Sequence, residues 1–253
     1  MGILKDKVIL ITGGSSGIGK STAQLVASEG AIVVIGDIQD KDGKDTASEI
    51  VKNGHQASYL RMDVTDFESV KQVTEEVSSR HGRLDGAFNN AGIEGPTAKI
   101  SDYENLDWKK VLDVNLTGVY NCIKCQIDEM RKQAGGGSIV STSSAAGLIG
   151  IPGASGYNSA KHGVIGLSKT IALEYASQNI RVNAVCPGFI ETPMLERVTD
   201  ASIKIREQLI KMVPMKRVAK PSEIADAVAW LLSERSSYVT GVALPVDGGW
   251  IAQ

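Results

Sequence analysis

The stretch Val8-Ile9-Leu10-Ile11-Thr12-Gly13-Gly14-Ser15-Ser16-Gly17-Ile18-Gly19 decides how the rest of the chain is read. A run of branched apolar residues makes a short strand, and a helical period begins at about Ile18. Gly13, Gly17 and Gly19 lie in the turn between them. Without side chains the backbone there can approach a bound group closely, and the N–H groups opening the helix can hold a pyrophosphate. The spacing Gly13-x-x-x-Gly17-x-Gly19 departs from the G-x-G-x-x-G fingerprint. Gly14-x-x-x-x-Gly19-Lys20-Ser21 also satisfies the P-loop pattern of nucleoside triphosphatases. A plain glycine turn after a strand is a third reading.

Outward from this stretch the same rhythm repeats. Short β-branched runs at Ile32–Ile35, Ser58–Met62, Leu84–Phe88, Ser138–Ser141, Ile180–Val185 and Val242–Val246 alternate with helical periods. Helices are predicted at Phe67–Arg80 and about 107–132, 155–177 and 222–232. The expected fold is α/β: a Rossmann-type, doubly wound, seven-stranded parallel sheet with helices on both faces. Loops leaving the carboxyl ends of the strands then gather on one edge, where a ligand binds. One domain over residues 1–253 is expected, with a substrate lid at about 189–215 in the least regular part of the chain, 186–220.

Bulk properties narrow the partner. The chain has 253 residues, 42% hydrophobic and 22% charged, with a formal net charge of −2. No run of Lys or Arg marks a surface for nucleic acid or an anionic membrane, and no apolar run approaches a bilayer span, so a small molecule is expected. Met1–Asp6 lacks a signal-peptide pattern, and three cysteines suit a reducing compartment, so a cytoplasmic location is expected.

The dinucleotide and P-loop readings divide at Asp37. In a P-loop enzyme it would hold magnesium. In a dinucleotide fold, an acid about 20 residues past the glycines accepts the adenosine ribose hydroxyls, and Asp37 follows Gly19 by eighteen. Asp63-Val64 after the third strand and Asn89-Asn90-Ala91-Gly92 after the fourth supply further polar and small residues on the same edge, which a P-loop enzyme does not need. Charge then selects the cofactor. A 2′-phosphate about 4 Å from the Asp37 carboxylate would be repelled by about 4 kcal/mol near a protein surface, so NAD is expected over NADP.

Tyr157-Asn158-Ser159-Ala160-Lys161 lies in a predicted helix, where residues four apart share a face. A free phenol titrates near 10 and is too weakly acidic to serve at neutral pH. A neighbouring ammonium is expected to pull it down and make Tyr157 a usable acid or base. Alone, the pattern also fits a tyrosine at a helix interface beside a solvated lysine. Ser144 lies thirteen residues earlier, where a strand ends on the ligand edge; its hydroxyl can polarise a substrate oxygen. Asn115 can hold a water that passes protons by way of Lys161.

Together these residues resemble the short-chain dehydrogenases/reductases nearly from end to end. Thr12 to Gly19, Asp63-Val64, Asn89 to Gly92, Asn115, Ser144, Tyr157 with Lys161, and Pro187-Gly188-Phe189-Ile190-Glu191-Thr192 fall in that family's order and spacing. The resemblance implies Asn115, Ser144, Tyr157 and Lys161 as a catalytic tetrad. It also implies a cofactor site of Gly13, Ser15, Ser16, Gly17, Ile18, Gly19, Asp37, Asp63, Val64, Asn90, Ala91, Gly92, Tyr157, Lys161, Pro187, Gly188, Ile190 and Thr192. Lys161 would also bond the nicotinamide ribose, and Ile190 and Thr192 the carboxamide. The implied activity is hydride transfer between NAD and a secondary alcohol or its ketone. Cyclic or hydrophobic alcohols lead, with steroids, sugars and 3-oxoacyl thioesters as alternatives; a member that binds NAD without catalysis stands outside them. A homotetramer or dimer pairing the helices near 107–132 and 155–177 is implied as well.

Glu94, Leu148, Ile151, Phe189, Met194, Leu195 and Met212 are the expected substrate pocket, with Glu94 either bonding a second hydroxyl or facing water. Cys122 and Cys125 are read as buried thiols, His162 as helix packing, and no metal site is expected.

Overall fold

The computed structural model describes residues 2–199 and 202–253. Its strands are β1 Val8–Thr12, β2 Ile32–Asp37, β3 Gln56–Arg61, β4 Gly86–Asn89, β5 Gly137–Thr142, β6 Ile180–Pro187 and β7 Ala243–Val246. They form one sheet in the order β3-β2-β1-β4-β5-β6-β7, and every pairing is parallel. The order reverses between β1 and β4. Such a switch point, at the carboxyl edge of the strands, is where open α/β sheets bind their ligands.

The helices are α1 Gly17–Ser28, α2 Asp40–Lys52, α3 Phe67–His81, α4 Asn105–Leu112, α5 Gly118–Met130, α6 Ser155–Tyr175, α7 Pro193–Val198, α8 Ile203–Met212 and α9 Pro221–Leu232. Alternation along β1 shows why both sheet faces are covered. Val8 and Leu10 join a layer with Val73 and Val77 of α3, Ile123 of α5 and Val164 of α6. Ile9 and Ile11 face the other way, toward Val26 of α1, Ile50 of α2 and Val228 of α9. All four β1 residues are buried, and each such side chain contributes about 1.5–3 kcal/mol on leaving water. The continuous apolar run is the signature of a strand covered on both sides.

Two expectations need correction. The single helix predicted at 107–132 is interrupted: α4 and α5 are joined by a wide π turn over Asp113–Thr117, an insertion that a hydrophobic period does not reveal. The stretch read as irregular at 186–220 carries α7 and α8, short helices whose Val198, Ile203 and Met212 remain exposed. They lack the buried apolar stripe by which a helix is recognised in sequence.

Candidate active site

The glycine turn is shaped by contact with its neighbours. Gly13 has φ +64°, a region that favours glycine. A side-chain carbon on Gly19 would begin 2.0 Å from the Gly13 carbonyl oxygen, so the first turn of α1 closes directly on the loop. Thr12 Oγ1 accepts from the N–H groups of Asn90 and Ala91 at 3.1 and 3.2 Å. Asn90 Nδ2 donates to the Gly13 carbonyl at 3.1 Å. The loops after β1 and β4 are thus tied together at the switch point. Ser16 stands exposed at the start of α1, with its side chain uncommitted to the cap.

Asp37 ends β2 and is 8% exposed. Its Oδ2 accepts from the Ser15 N–H at 3.1 Å and the Ser15 hydroxyl at 2.6 Å, and its Oδ1 from the Gln39 N–H at 3.0 Å. An ionised carboxylate offers about four acceptor positions, so one is left on Oδ1. Lys20, the lysine a P-loop would aim at phosphate, instead pairs with Glu49 at 2.7 Å. With Asp37 closed on its own loop and Lys20 turned away, the phosphotransferase reading fails. Beyond β3, Asp63 Oδ1 accepts from the N–H and hydroxyl of Thr65, and Val64 is buried against Gly118.

The chemical group gathers at the carboxyl end of β5. Lys161 is 3% exposed; its Nζ donates to the Thr142 carbonyl at 2.8 Å, and its own carbonyl accepts from Ser143 Oγ at 2.9 Å. Both ends of one residue therefore clamp α6 to β5. Tyr157 stands one turn earlier, with the Lys161 ammonium 5.5 Å from its ring centroid. Ser144 caps a short 3-10 turn by accepting from the Ala146 N–H at 3.1 Å, and its hydroxyl acts on the Tyr157 phenol by drawing it down. Asn115, fully buried in the π turn, accepts from the Ile93 N–H at 2.9 Å and donates to the Ile93 carbonyl at 2.8 Å. Gly92 joins these groups: a side-chain carbon there would begin 2.8 Å from Asn115 Oδ1 and 3.7 Å from Lys161 Nζ.

The electrostatics of this cluster differ from the sequence expectation. Burial raises the Tyr157 phenol above its ordinary value, and the Ser144 hydroxyl opposes that rise while the Glu94 charge adds to it. Burial also pulls Lys161 down to about 8. Desolvation disfavours the charged form of each, and it outweighs the help the ammonium was expected to give the phenol. The Asn115 side-chain amide spends one acceptor and one donor position on Ile93 and keeps one of each.

Pro187 ends β6, and Gly188 donates its N–H to the Val246 carbonyl at 3.1 Å. Ile190, 5% exposed, is bridged to Ala219. Thr192 caps α7 by accepting from the Leu195 N–H at 3.3 Å, and its methyl carbon lies 3.2 Å from where a side chain on Gly17 would begin. Residues 187–192 therefore close on the glycine turn. Phe189 packs on Trp250 with ring centroids 4.3 Å apart.

Sequence reading missed the pairing of Glu94 with Arg197, at 2.6 and 3.2 Å. The partners stand 103 residues apart, and no local signal links them. The Glu94 carboxylate is partly exposed and engaged by that guanidinium. Cys122 and Cys125 are buried free thiols, both pushed up by burial. His162 Nδ1 bonds the Asn158 carbonyl one turn back at 2.9 Å. Among the described residues no three His, Cys, Asp or Glu converge as metal ligands, and no helix is long and apolar enough to cross a membrane.

Comparison with known proteins bears on this arrangement. A family model described as enoyl-(acyl carrier protein) reductase matches residues 13–251. A 2,5-dichloro-2,5-cyclohexadiene-1,4-diol dehydrogenase from Sphingobium indicum is 40% identical over the whole of both chains. A 3-oxoacyl-[acyl-carrier-protein] reductase from Thermotoga maritima is 44% identical over 98% of this chain and 99% of the relative. The crystal structure of levodione reductase superposes with TM-score 0.95 at 38% identity, covering 98% of this chain and 99% of that one. NAD+-bound xylitol dehydrogenase gives 0.92 at 35% identity, over 97% and 99%. Sheet order, the convergence of Ser144, Tyr157 and Lys161, and these matches agree: the chain belongs to the short-chain dehydrogenase/reductase family and is an oxidoreductase.

Proposed function

We infer that this protein is an NAD-dependent dehydrogenase that interconverts a secondary alcohol, cyclic or otherwise hydrophobic, and its ketone. The observation that carries this reading is the Ser144–Tyr157–Lys161 cluster opening on the same sheet edge as the glycine turn and Asp37. The residues fit a dinucleotide in three respects. Asp37 keeps one acceptor position for a ribose hydroxyl. Lys161 has two of its three protons without a partner among the described residues. The turn at Gly13, Gly17 and Gly19 packs so closely on Ala91, Thr192 and its own backbone that it admits no side chain, the tight strand-to-helix turn that a pyrophosphate site needs. The Asp37 charge favours NAD over NADP, and the NAD+-bound relative supports the same choice.

When bound, NAD would supply the hydride acceptor in oxidation and its reduced form the donor in reduction. Tyr157 takes the alcohol proton in one direction and returns it in the other. Ser144 donates a hydrogen bond to the substrate oxygen and holds it against the phenol. Lys161, charged below about pH 8, stabilises developing phenolate across the ring it overlies. Asn115 holds the Ile93 backbone and so fixes the wall of the cleft beside Gly92. The lid over the substrate is residues 189–215, of which 200 and 201 lie outside the described residues; α7 and α8 form its body, and Leu148, Ile151, Met194, Leu195 and Met212 give it an apolar lining. The 44% identical 3-oxoacyl reductase supports a second reading, an acyl thioester substrate.

We further propose one catalytic domain spanning the chain, a homotetramer, and a cytoplasmic location. A panel of cyclic, open-chain and sugar alcohols, steroids and 3-oxoacyl thioesters, followed by NADH and NADPH absorbance, tests the function. Turnover of a ring alcohol with NAD above NADP is expected. Turnover confined to 3-oxoacyl thioesters with NADPH would replace the first reading by the second.

A further inference from the structure

Proton transfer at Tyr157 makes no use of the Glu94–Arg197 pair. Arg197 Nε donates to Oε1 and Nη2 to Oε2, a fork-on-fork geometry that fixes orientation as well as charge. Both partners are anchored. Ile93, beside Glu94, is held on both backbone groups by Asn115, and α7, which carries Arg197, begins at Thr192 packed on Gly17.

Tyr103 shows where Glu94 stands relative to the chemistry. Its hydroxyl oxygen lies 3.1 Å from where a side-chain carbon on Gly95 would begin and 2.6 Å from the same point on Gly156. The chain neighbours of Glu94 and of Tyr157 thus meet at one oxygen atom. The Glu94 side chain is 26% exposed and that of Arg197 58%, so the carboxylate is the inner partner and the guanidinium stands at the rim. Arg197 holds Glu94 below its ordinary carboxyl value. An ionised carboxylate accepts hydrogen bonds and donates none. Arg197 occupies one position on each oxygen, which leaves capacity for a donor and none for a carbonyl or a second anion.

Building on the alcohol dehydrogenase reading, we propose that Glu94, held by Arg197, determines specificity by binding a second hydroxyl of the substrate while Tyr157 acts on the first. The substrate class is then a cyclic diol or hydroxyketone. Neutral ring alcohols with one hydroxyl are poorer substrates, and ring alcohols bearing a carboxylate are poorer still, because that anion would face Glu94.

The test compares NAD-linked oxidation of cyclohexane-1,4-diol, cyclohexanol and 4-hydroxycyclohexanecarboxylate by the native protein and by Glu94→Leu. In the native protein kcat/KM for the diol should exceed that for cyclohexanol by about tenfold or more, the size of a hydrogen bond to a charged acceptor expressed as a rate ratio. The carboxylate should fall below cyclohexanol. In Glu94→Leu the diol advantage should shrink to the doubling that two equivalent hydroxyls bring. The native ratios decide the matter even if that variant does not fold. Cyclohexanol oxidised as well as the diol would overturn the role of Glu94 and leave the alcohol reaction standing. Oxidation of none of the three would overturn the alcohol reaction and this role with it.

Discussion

Lys161 is the residue on which burial acts most plainly. It is an ammonium 3% exposed, paired with one carbonyl and drawn down to about 8. A lysine whose folded value lies below its unfolded value near 10.4 binds fewer protons in the folded state between the two. Folding therefore bears the cost of the buried charge below about pH 8, and that cost fades as pH rises from 8 toward 10. Melting temperatures of the native protein and Lys161→Met between those pH values test this. The native protein should gain stability relative to the variant on the way up, and parallel curves would show that the ammonium is not desolvated in the folded chain. The meeting of Tyr157 and Lys161 was legible because four-residue spacing on a helix puts two side chains on one face. Their mutual electrostatics were not, since desolvation depends on everything packed around them, including Thr142, Ser144 and Glu94.

At the scale of elements, the π turn between α4 and α5 has the clearest consequence. It presents Asn115 so that one amide satisfies both backbone groups of Ile93. Asn115→Ala would leave a part-buried N–H and a part-buried carbonyl without partners. The expected loss is about 1–3 kcal/mol in unfolding free energy, from urea titration. An unchanged midpoint and slope would show that the pair contributes nothing to holding the loop after β4. Strand positions and most helix positions were readable from alternating periods, because Val8 to Ile11 and Ile32 to Ile35 are covered on both faces and leave an unmixed apolar signal. The π turn, α7 and α8 were not. One inserts a residue without altering composition, and the others bury too little apolar surface to write a stripe.

Across the whole molecule, sites far apart in sequence meet at one sheet edge, and the resemblance to a family was legible from motif order alone. The Glu94–Arg197 pair lay beyond that reading, because it joins a loop after β4 to a helix after β6. Assembly belongs to this scale too. Leu106 on α4, Tyr120 on α5 and Leu173 on α6 are exposed at 82%, 48% and 84%, and they lie on the helices proposed to pair. Sedimentation equilibrium should give a mass near four times 26.8 kDa, and a mass near 26.8 kDa would exclude the proposed homotetramer.

Every step proposed above requires acid–base chemistry at Tyr157 on a ring alcohol bound beside NAD. It is tested most directly by measuring NADH formation from cyclohexane-1,4-diol and NADH binding by fluorescence in the native protein and Tyr157→Phe. Turnover should fall by about 10²–10⁴-fold while NADH affinity is largely kept. A Tyr157→Phe protein that oxidises the diol at the native rate would show that the phenol does not carry the proton.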